Sequence, residues 1–178
     1  KGGVPGASWC SIDDRGRRGF AVRARVWPRM VSDGGATISF SPPFGYELTA
    51  RRLRPGDAEA VDLSRWRIAG CGADMIRPEV LEQFADALAP GGFHAGALMP
   101  SYGMAEVSLA VSFTPRGRGI GVDAIDGDAR AAGGTVRPTP DSNARFTRCG
   151  HPLPDYRVEI RDEAGAVLPE LREGSVFL

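Results

Sequence analysis

The chain has 178 residues, is 42% hydrophobic and 25% charged, and carries zero formal net charge with a pI near 6.9. That suits one globular domain or part of a larger one, and offers no basic field to attract nucleic acid or an anionic membrane. No apolar run approaches the roughly 20 residues that span a bilayer, and the first residues lack the apolar core of a signal peptide, so the expected location is cytoplasmic.

Residues 1–19 are rich in Gly, Arg and Ser and read as an irregular or unrelated leader, with Trp9 a large apolar side chain near the start. Patterning begins near Phe20. Val26, Trp27, Met30 and Val31 fall at helical spacing, and Pro28 limits that helix to a short or late-starting one. Ala36 to Ser41 (ATISFS) reads as a strand. Pro43 opens a helix carrying Phe44, Leu48 and Leu53, which ends before Pro55 and Gly56. Trp66 to Cys71 (WRIAGC) is a second strand. Pro78 starts a helix with Val80, Leu81, Phe84 and Leu88 on one face, stopped by Gly91 and Gly92. Phe93 to Met99 is the third strand candidate. Strand, helix, strand, helix, strand predicts an α/β layer with a parallel sheet over residues 20–113.

The composition then changes. Residues 114–146 are poor in large apolar groups and read as a long surface loop or insertion. From 147 the pattern is antiparallel: Arg157 to Arg161 (RVEIR) alternates, Glu163 to Ala166 (EAGA) turns, and Gly174 to Leu178 (GSVFL) begins another strand. The chain stops inside that strand, so a fragment of a longer protein is expected.

The ionisable residues narrow the chemistry. Three cysteines, Cys10, Cys71 and Cys149, lack paired spacing and predict reduced thiols rather than a disulfide framework or zinc site. Lys1 is the sole lysine, so no internal lysine can grip a phosphate. His94 and His151, flanked by Gly92-Phe93 and by Gly150 and Pro152, have no paired acid or thiol at ligand spacing and read as structural or exposed.

Four segments, in order, carry a resemblance. They are ATISFSPPFGYELTARR; DLSRWRIAGCGADMIRP; PSYGMAE at Pro100 to Glu106, placed just after an apolar strand; and RCGHPLPDYRVEIRD. Together they resemble the adenylate-forming superfamily, and the first two are similar to its fatty acyl-AMP ligase branch in particular. The likeness runs from about Phe20 to Leu178. It implies part of the large N-terminal domain of such an enzyme, a parallel α/β layer followed by a truncated β-barrel subdomain from 147 to 178. It also implies ATP, with AMP carried in the product, and Mg2+; a fatty acid substrate; and the acyl carrier protein of a polyketide or lipopeptide synthase as partner. By the same resemblance Gly72, Ala73 and Asp74 line the adenine pocket, and Ser101, Tyr102, Gly103, Met104 and Ala105 complete the nucleotide site.

Residue chemistry agrees with these roles. Gly72 lets backbone approach a flat base, the Tyr102 ring offers a stacking face, and Gly103 permits a tight turn beneath phosphates. Glu106 supplies the hard oxygen that suits magnesium and is the expected catalytic group. Taken singly, Tyr102 reads equally as a core aromatic and Glu106 as a solvated charge. Phe44, Gly45 and Tyr46 fall where the family places part of its acyl tunnel; ordinary core packing is the other reading. Ala105 stands where many superfamily members carry threonine, which fits the fatty acyl-AMP ligase branch.

The family's phosphate loop, its Tyr-His-Asp-Met-Gly segment, its ribose-binding Asp and its lysine-bearing C-terminal domain are absent. Only Ser8 and Trp9 suggest the second of these. The insertion over 117–146 resembles one associated with refusal of coenzyme A, where it would act as a conformational gate; a solvated loop is the alternative. A fatty acyl-CoA ligase and a non-catalytic nucleotide- or acyl-binding remnant remain open. Enzymes lower barriers by about 8–23 kcal/mol through groups acting together. Residues 1–178 on their own are therefore expected to release no pyrophosphate from ATP and fatty acid; robust release in that assay would overturn the expectation.

Overall fold

The computed structural model describes residues 24–107, 109–131, 133 and 135–178. The expected leader 1–19, with Ser8, Trp9 and Cys10, lies outside them. Helix α1 (Val26–Asp33) carries Pro28 in its first turn, where no intrahelical donor is required, and buries Trp27, Pro28 and Val31. Helix α2 (Pro43–Arg52) and helix α3 (Pro78–Leu88) both begin on a proline at the first position, as the sequence predicts. In α3 the face Val80, Leu81, Phe84 and Leu88 is buried.

Strands β1 (Ile38–Ser41), β2 (Ile68–Cys71) and β3 (Leu98–Met104) form the parallel layer, with Phe40 opposite Gly70 and Cys71 opposite Pro100. β4 (Leu109–Phe113) then pairs antiparallel with β3, and β7 (His151–Pro152) with β4, giving the order β1-β2-β3-β4-β7. This mixed α/β sheet bears out the predicted fold class.

Two expectations are corrected. The third strand begins at Leu98, not Phe93; Phe93 is buried in the core and Ala95–Ala97 form a 3-10 turn in which the His94 imidazole accepts the Gly96 N–H at 3.0 Å. Apolar content over 93–97 comes from packing rather than pairing. Residues 114–146 are not a structureless loop: β5 (Gly121–Ile125) pairs antiparallel with β6 (Ala144–Arg148), and a short helix α4 (Gly127–Ala131) follows β5. Backbone pairing builds this ribbon with few large apolar groups. β8 (Glu159–Arg161) and β9 (Ser175–Phe177) pair antiparallel, and Asp162 to Ala166 turns as expected.

One face of the parallel layer is sealed by aromatics. Tyr46 meets Trp27 at 5.0 Å and Phe84 at 4.8 Å, and Phe93 meets Phe84 and Trp66 at 5.2 Å, mostly edge to face. Such pairs add about 0.5–1.5 kcal/mol each beyond their buried area. Polar tips in this core are paired: the Trp27 indole donates to Ser39 Oγ at 2.8 Å and the Trp66 indole to the Ile68 carbonyl at 2.8 Å. The alternate residues of β1, Ile38 and Phe40, are exposed. Among the described residues no helix is long and apolar enough to cross a membrane.

Cys71 ends β2 inside this core as a free thiol. Burial, and secondarily Cys149, pushes it from an ordinary 9.0 up to about 12. Stability that depends on the neutral thiol is therefore complete below pH 9.0 and is lost as pH rises toward about 12. Iodoacetamide at about pH 8 should leave Cys71 unmodified in the native chain and modify it in concentrated urea, because only the thiolate reacts. Rapid native labelling, read by mass spectrometry, would contradict this burial.

Candidate functional site

The carboxyl end of β2 and the middle of β3 enclose one side of a cavity of about 240 Å³. It arises where the sheet changes partner. β3 runs beside β2 through Pro100, then turns its pairing to β4 from Ser101. The chain leaving β2 at Gly72 crosses that junction. Ser101 Oγ donates to the Cys71 carbonyl at 3.1 Å and ties the two strands there.

Gly72 has no room for a side chain. A Cβ there would lie 2.7 Å from Ser101 Oγ and 3.1 Å from the Ser101 carbonyl oxygen. Ala73 follows with φ 69, a left-handed conformation that turns the backbone at the cavity rim. Gly103 sits at the register shift between β3 and β4, where a Cβ would lie 1.6 Å from the Leu109 carbonyl oxygen. The structure thus gives Gly103 a different duty from the predicted tight turn: it admits a β-bulge. Leu109, paired with the neighbouring Met104, takes φ 96.

The cavity brings together Gly72, Ala73, Ser101, Tyr102 and Gly103. Its remaining wall is Phe40, Ser41, Pro42, Leu109, Ala110 and Phe113, mostly apolar. Sequence reading missed these. Phe40 and Leu109 are large apolar residues exposed on strands, a signal visible only once strand faces are known.

Other expected site residues lie outside the cavity wall. Asp74 is exposed and its carboxylate accepts the Met75 N–H at 2.7 Å, closing its own turn. Met104 ends β3 half-buried, and PSYGM lies within that strand rather than after it. Ala105 and Glu106 are exposed in the 3-10 turn Ala105–Val107. Tyr156, in the RCGHPLPDYR segment, donates its hydroxyl to the Val107 carbonyl at 3.1 Å and anchors that turn from 49 residues away.

The expected acyl-tunnel trio does not share a wall. Tyr46 is fully buried and its hydroxyl donates to the Gly70 carbonyl at 2.8 Å. Burial pushes its phenol well above the usual range. Gly45 is buried in α2, and Phe44 is exposed at the start of that helix. For Gly45 and Tyr46 core packing is the reading that holds. A second cavity, about 430 Å³, lies between α3 and Arg118 to Ile120 and contains none of the predicted site residues.

The sequence profile described as AMP-binding enzyme matches residues 15–178. A putative acyl-CoA synthetase of Caulobacter vibrioides is 42% identical over 161 residues, 89% of this chain and 28% of the relative. The medium-chain-fatty-acid–[acyl-carrier-protein] ligase JamA of Moorena producens is 33% identical over 79% of this chain and 24% of its own length. A structure from work on fatty acyl-adenylate ligases of E. coli and L. pneumophila superposes with TM-score 0.83 at 40% identity, over 89% of this chain and 30% of that one. The fatty acyl-adenylate ligase of L. pneumophila in complex with acyl adenylate and pyrophosphate superposes with TM-score 0.79 at 28% identity, over 90% and 28%. The chain thus spans between a quarter and a third of the length of most of these relatives.

Two glycines separate steric demand from backbone conformation. Gly103→Ala drives a Cβ into a backbone carbonyl that cannot swing away, and should cost about 3 kcal/mol or more. Gly117→Ala meets no atom within 4 Å and pays only for its positive φ, about 1–2 kcal/mol. Urea unfolding of both variants tests the order; equal losses would remove the bulge from its proposed place.

Proposed function

The chain belongs to the AMP-binding enzyme family, and from that premise we propose that its whole protein is a fatty acyl-AMP ligase. The fatty acid carboxylate attacks the α-phosphorus of ATP, the bond to the pyrophosphate oxygen breaks, and acyl-adenylate and pyrophosphate result. The phosphopantetheine thiol of an acyl carrier protein of a polyketide or lipopeptide synthase then attacks the acyl carbonyl, the bond to the AMP phosphate oxygen breaks, and AMP leaves as the thioester forms, with the cytoplasm as the proposed location. The observation that carries this reading is the cavity itself. It sets a glycine-backed floor and a tyrosine ring beside an apolar wall, the two chemistries an acyl-adenylate needs side by side.

Gly72 and Ala73 offer backbone to the adenine edge, Asp74 stands at the rim, and the Tyr102 ring stacks on the base. At Gly72 the missing side chain lets β2's end pack directly on Ser101, which holds the two strand ends together along the cavity. Ser101, Gly103, Met104 and Ala105 run along the phosphates. Glu106, exposed on its turn, is the carboxylate that would hold a magnesium ion there. One such carboxylate suffices for a metal of that kind, which supplies positive charge to the phosphates. Phe44 remains a candidate for the outer acyl wall.

A fatty acyl-CoA ligase is the second reading, favoured by the name of the Caulobacter relative, a putative acyl-CoA synthetase. Assaying acyl-CoA and acyl-carrier product separately divides the two.

In the whole protein, Glu106→Gln should lower pyrophosphate release by roughly 100-fold or more, the scale for losing one electrostatic group. Tyr102→Ala should chiefly raise KM for ATP, since stacking acts in ground and transition states alike. Near-normal turnover of the Glu106→Gln enzyme would remove the metal role.

A further inference from the structure

Phe40 is an aromatic residue on β1, the end strand of the sheet among the described residues. The residue is 57% exposed and forms part of the cavity wall. It lies on Gly70, its register partner in β2. A Cβ built at Gly70 would fall 2.0 Å from Phe40 Cε1 and 2.6 Å from Cζ. The ring therefore fills the volume that a side chain at position 70 would take. Gly70 cannot retreat to make space, because its carbonyl is held by the buried Tyr46 hydroxyl at 2.8 Å. The ring can move, being the far end of an exposed side chain. Strand β2 is thus fixed and the ring is adjustable, and the ring borders an otherwise apolar wall of Pro42, Leu109, Ala110 and Phe113.

We propose that Phe40, seated on Gly70, is a specificity-determining residue that sets the width of the apolar end of the cavity and so selects the length of the acyl chain. The inference rests on the fatty acid-activating reading above and adds a selecting residue to it. Removing the ring widens the apolar end. Adding a methyl at position 70 lifts the ring off the strand and narrows it. The two changes have opposite signs, and the second depends on the first: without a ring at 40, a methyl at 70 has nothing to displace.

The experiment measures kcat/KM for pyrophosphate release by the whole protein with a medium-chain and a long-chain saturated fatty acid. It compares wild type, Phe40→Ala, Phe40→Leu, Gly70→Ala and the double variant, each checked for folding by its thermal midpoint. Phe40→Ala should raise the long-to-medium ratio about tenfold, the lower end of what a change of pocket size by a methylene or more produces. Phe40→Leu, the milder change, should move the ratio the same way by less. Gly70→Ala should lower it, and the double variant should follow Phe40→Ala. KM for ATP should stay near wild type in Phe40→Ala. If both acids fall in parallel in Phe40→Ala and Phe40→Leu, or Gly70→Ala leaves the ratio unchanged, the selecting role is overturned while the ligase reading stands. If wild type releases no pyrophosphate with any fatty acid, the ligase reading itself fails and the inference with it.

Discussion

Strand β3 must satisfy two different partners along one short run, and the site depends on how it does so. Leu98 to Pro100 run parallel to β2, whereas Ser101 to Met104 pair antiparallel with β4. Pro100 sits at the change. It has no N–H to donate, while its carbonyl accepts the Thr114 N–H at 3.0 Å. β2 ends at Cys71 just where β3 gives up its parallel partner, so a crevice opens at the strand ends. Crevices at the carboxyl ends of strands in open α/β sheets are where ligands dock, because backbone groups there face no neighbouring strand. The Ser101 hydroxyl bond to the Cys71 carbonyl keeps the crevice from spreading.

The layer's two faces then diverge in chemistry. Helices α1, α2 and α3 close one face with Trp27, Tyr46 and Phe84, joined by Trp66 from the segment before β2, and the polar atoms of Trp27, Tyr46 and Trp66 find partners within it. The other face leaves Ile38 and Phe40 exposed, Leu109 of the cavity wall is exposed too, and Met75 lies exposed two residues beyond Ala73 of the cavity. Parallel sheets ordinarily have both faces covered. Gly70 links the two sides: Tyr46 holds its carbonyl and the Phe40 ring covers its Cα. Rigidity behind the strand and adjustability in front of it follow from the same residue lacking a side chain.

Much of this was legible in the sequence because it rests on local rules. Pro43 and Pro78 start helices at the first position, where a missing donor costs nothing, and the 3.6-residue spacing of Val80, Leu81, Phe84 and Leu88 named the buried face of α3. Gly72, Ser101 and Tyr102 were legible as an ordered motif, and the structure gathers them on one cavity. The misses share a cause. Phe93 and Leu98 are equally apolar, but which of them pairs depends on where β2 lies, a tertiary fact. Tyr46 and Phe40 are both aromatic residues within a single segment, yet one is fully buried and the other exposed. The strand and helix phases that decide this cannot be read from residue type. Residues 121–125 and 144–148 pair across a long connection with few bulky groups, so alternation was too weak to announce a ribbon.

That ribbon is also instructive about what holds a polar segment in place. Arg145 in β6 reaches Glu82 at 2.6 Å and Glu79 at 2.9 Å, two carboxylates one turn apart on α3. Arg130 pairs with Glu173 at 2.8 Å toward the β8–β9 end. These charges are substantially exposed, and exposed ion pairs are screened and contribute little. Backbone contacts are of another kind. Gly119, at φ 67, brings its chain so close to Ala95 that a Cβ would lie 3.0 Å from that carbonyl oxygen, and the Val136 N–H donates to the Leu171 carbonyl at 2.8 Å. Val136 is itself buried. The segment's position therefore follows from close backbone packing at Gly119 and a buried hydrogen-bonded contact at Val136, with the arginines orienting it. A segment fixed in this way keeps its place when salt rises, because neither contact involves a charge.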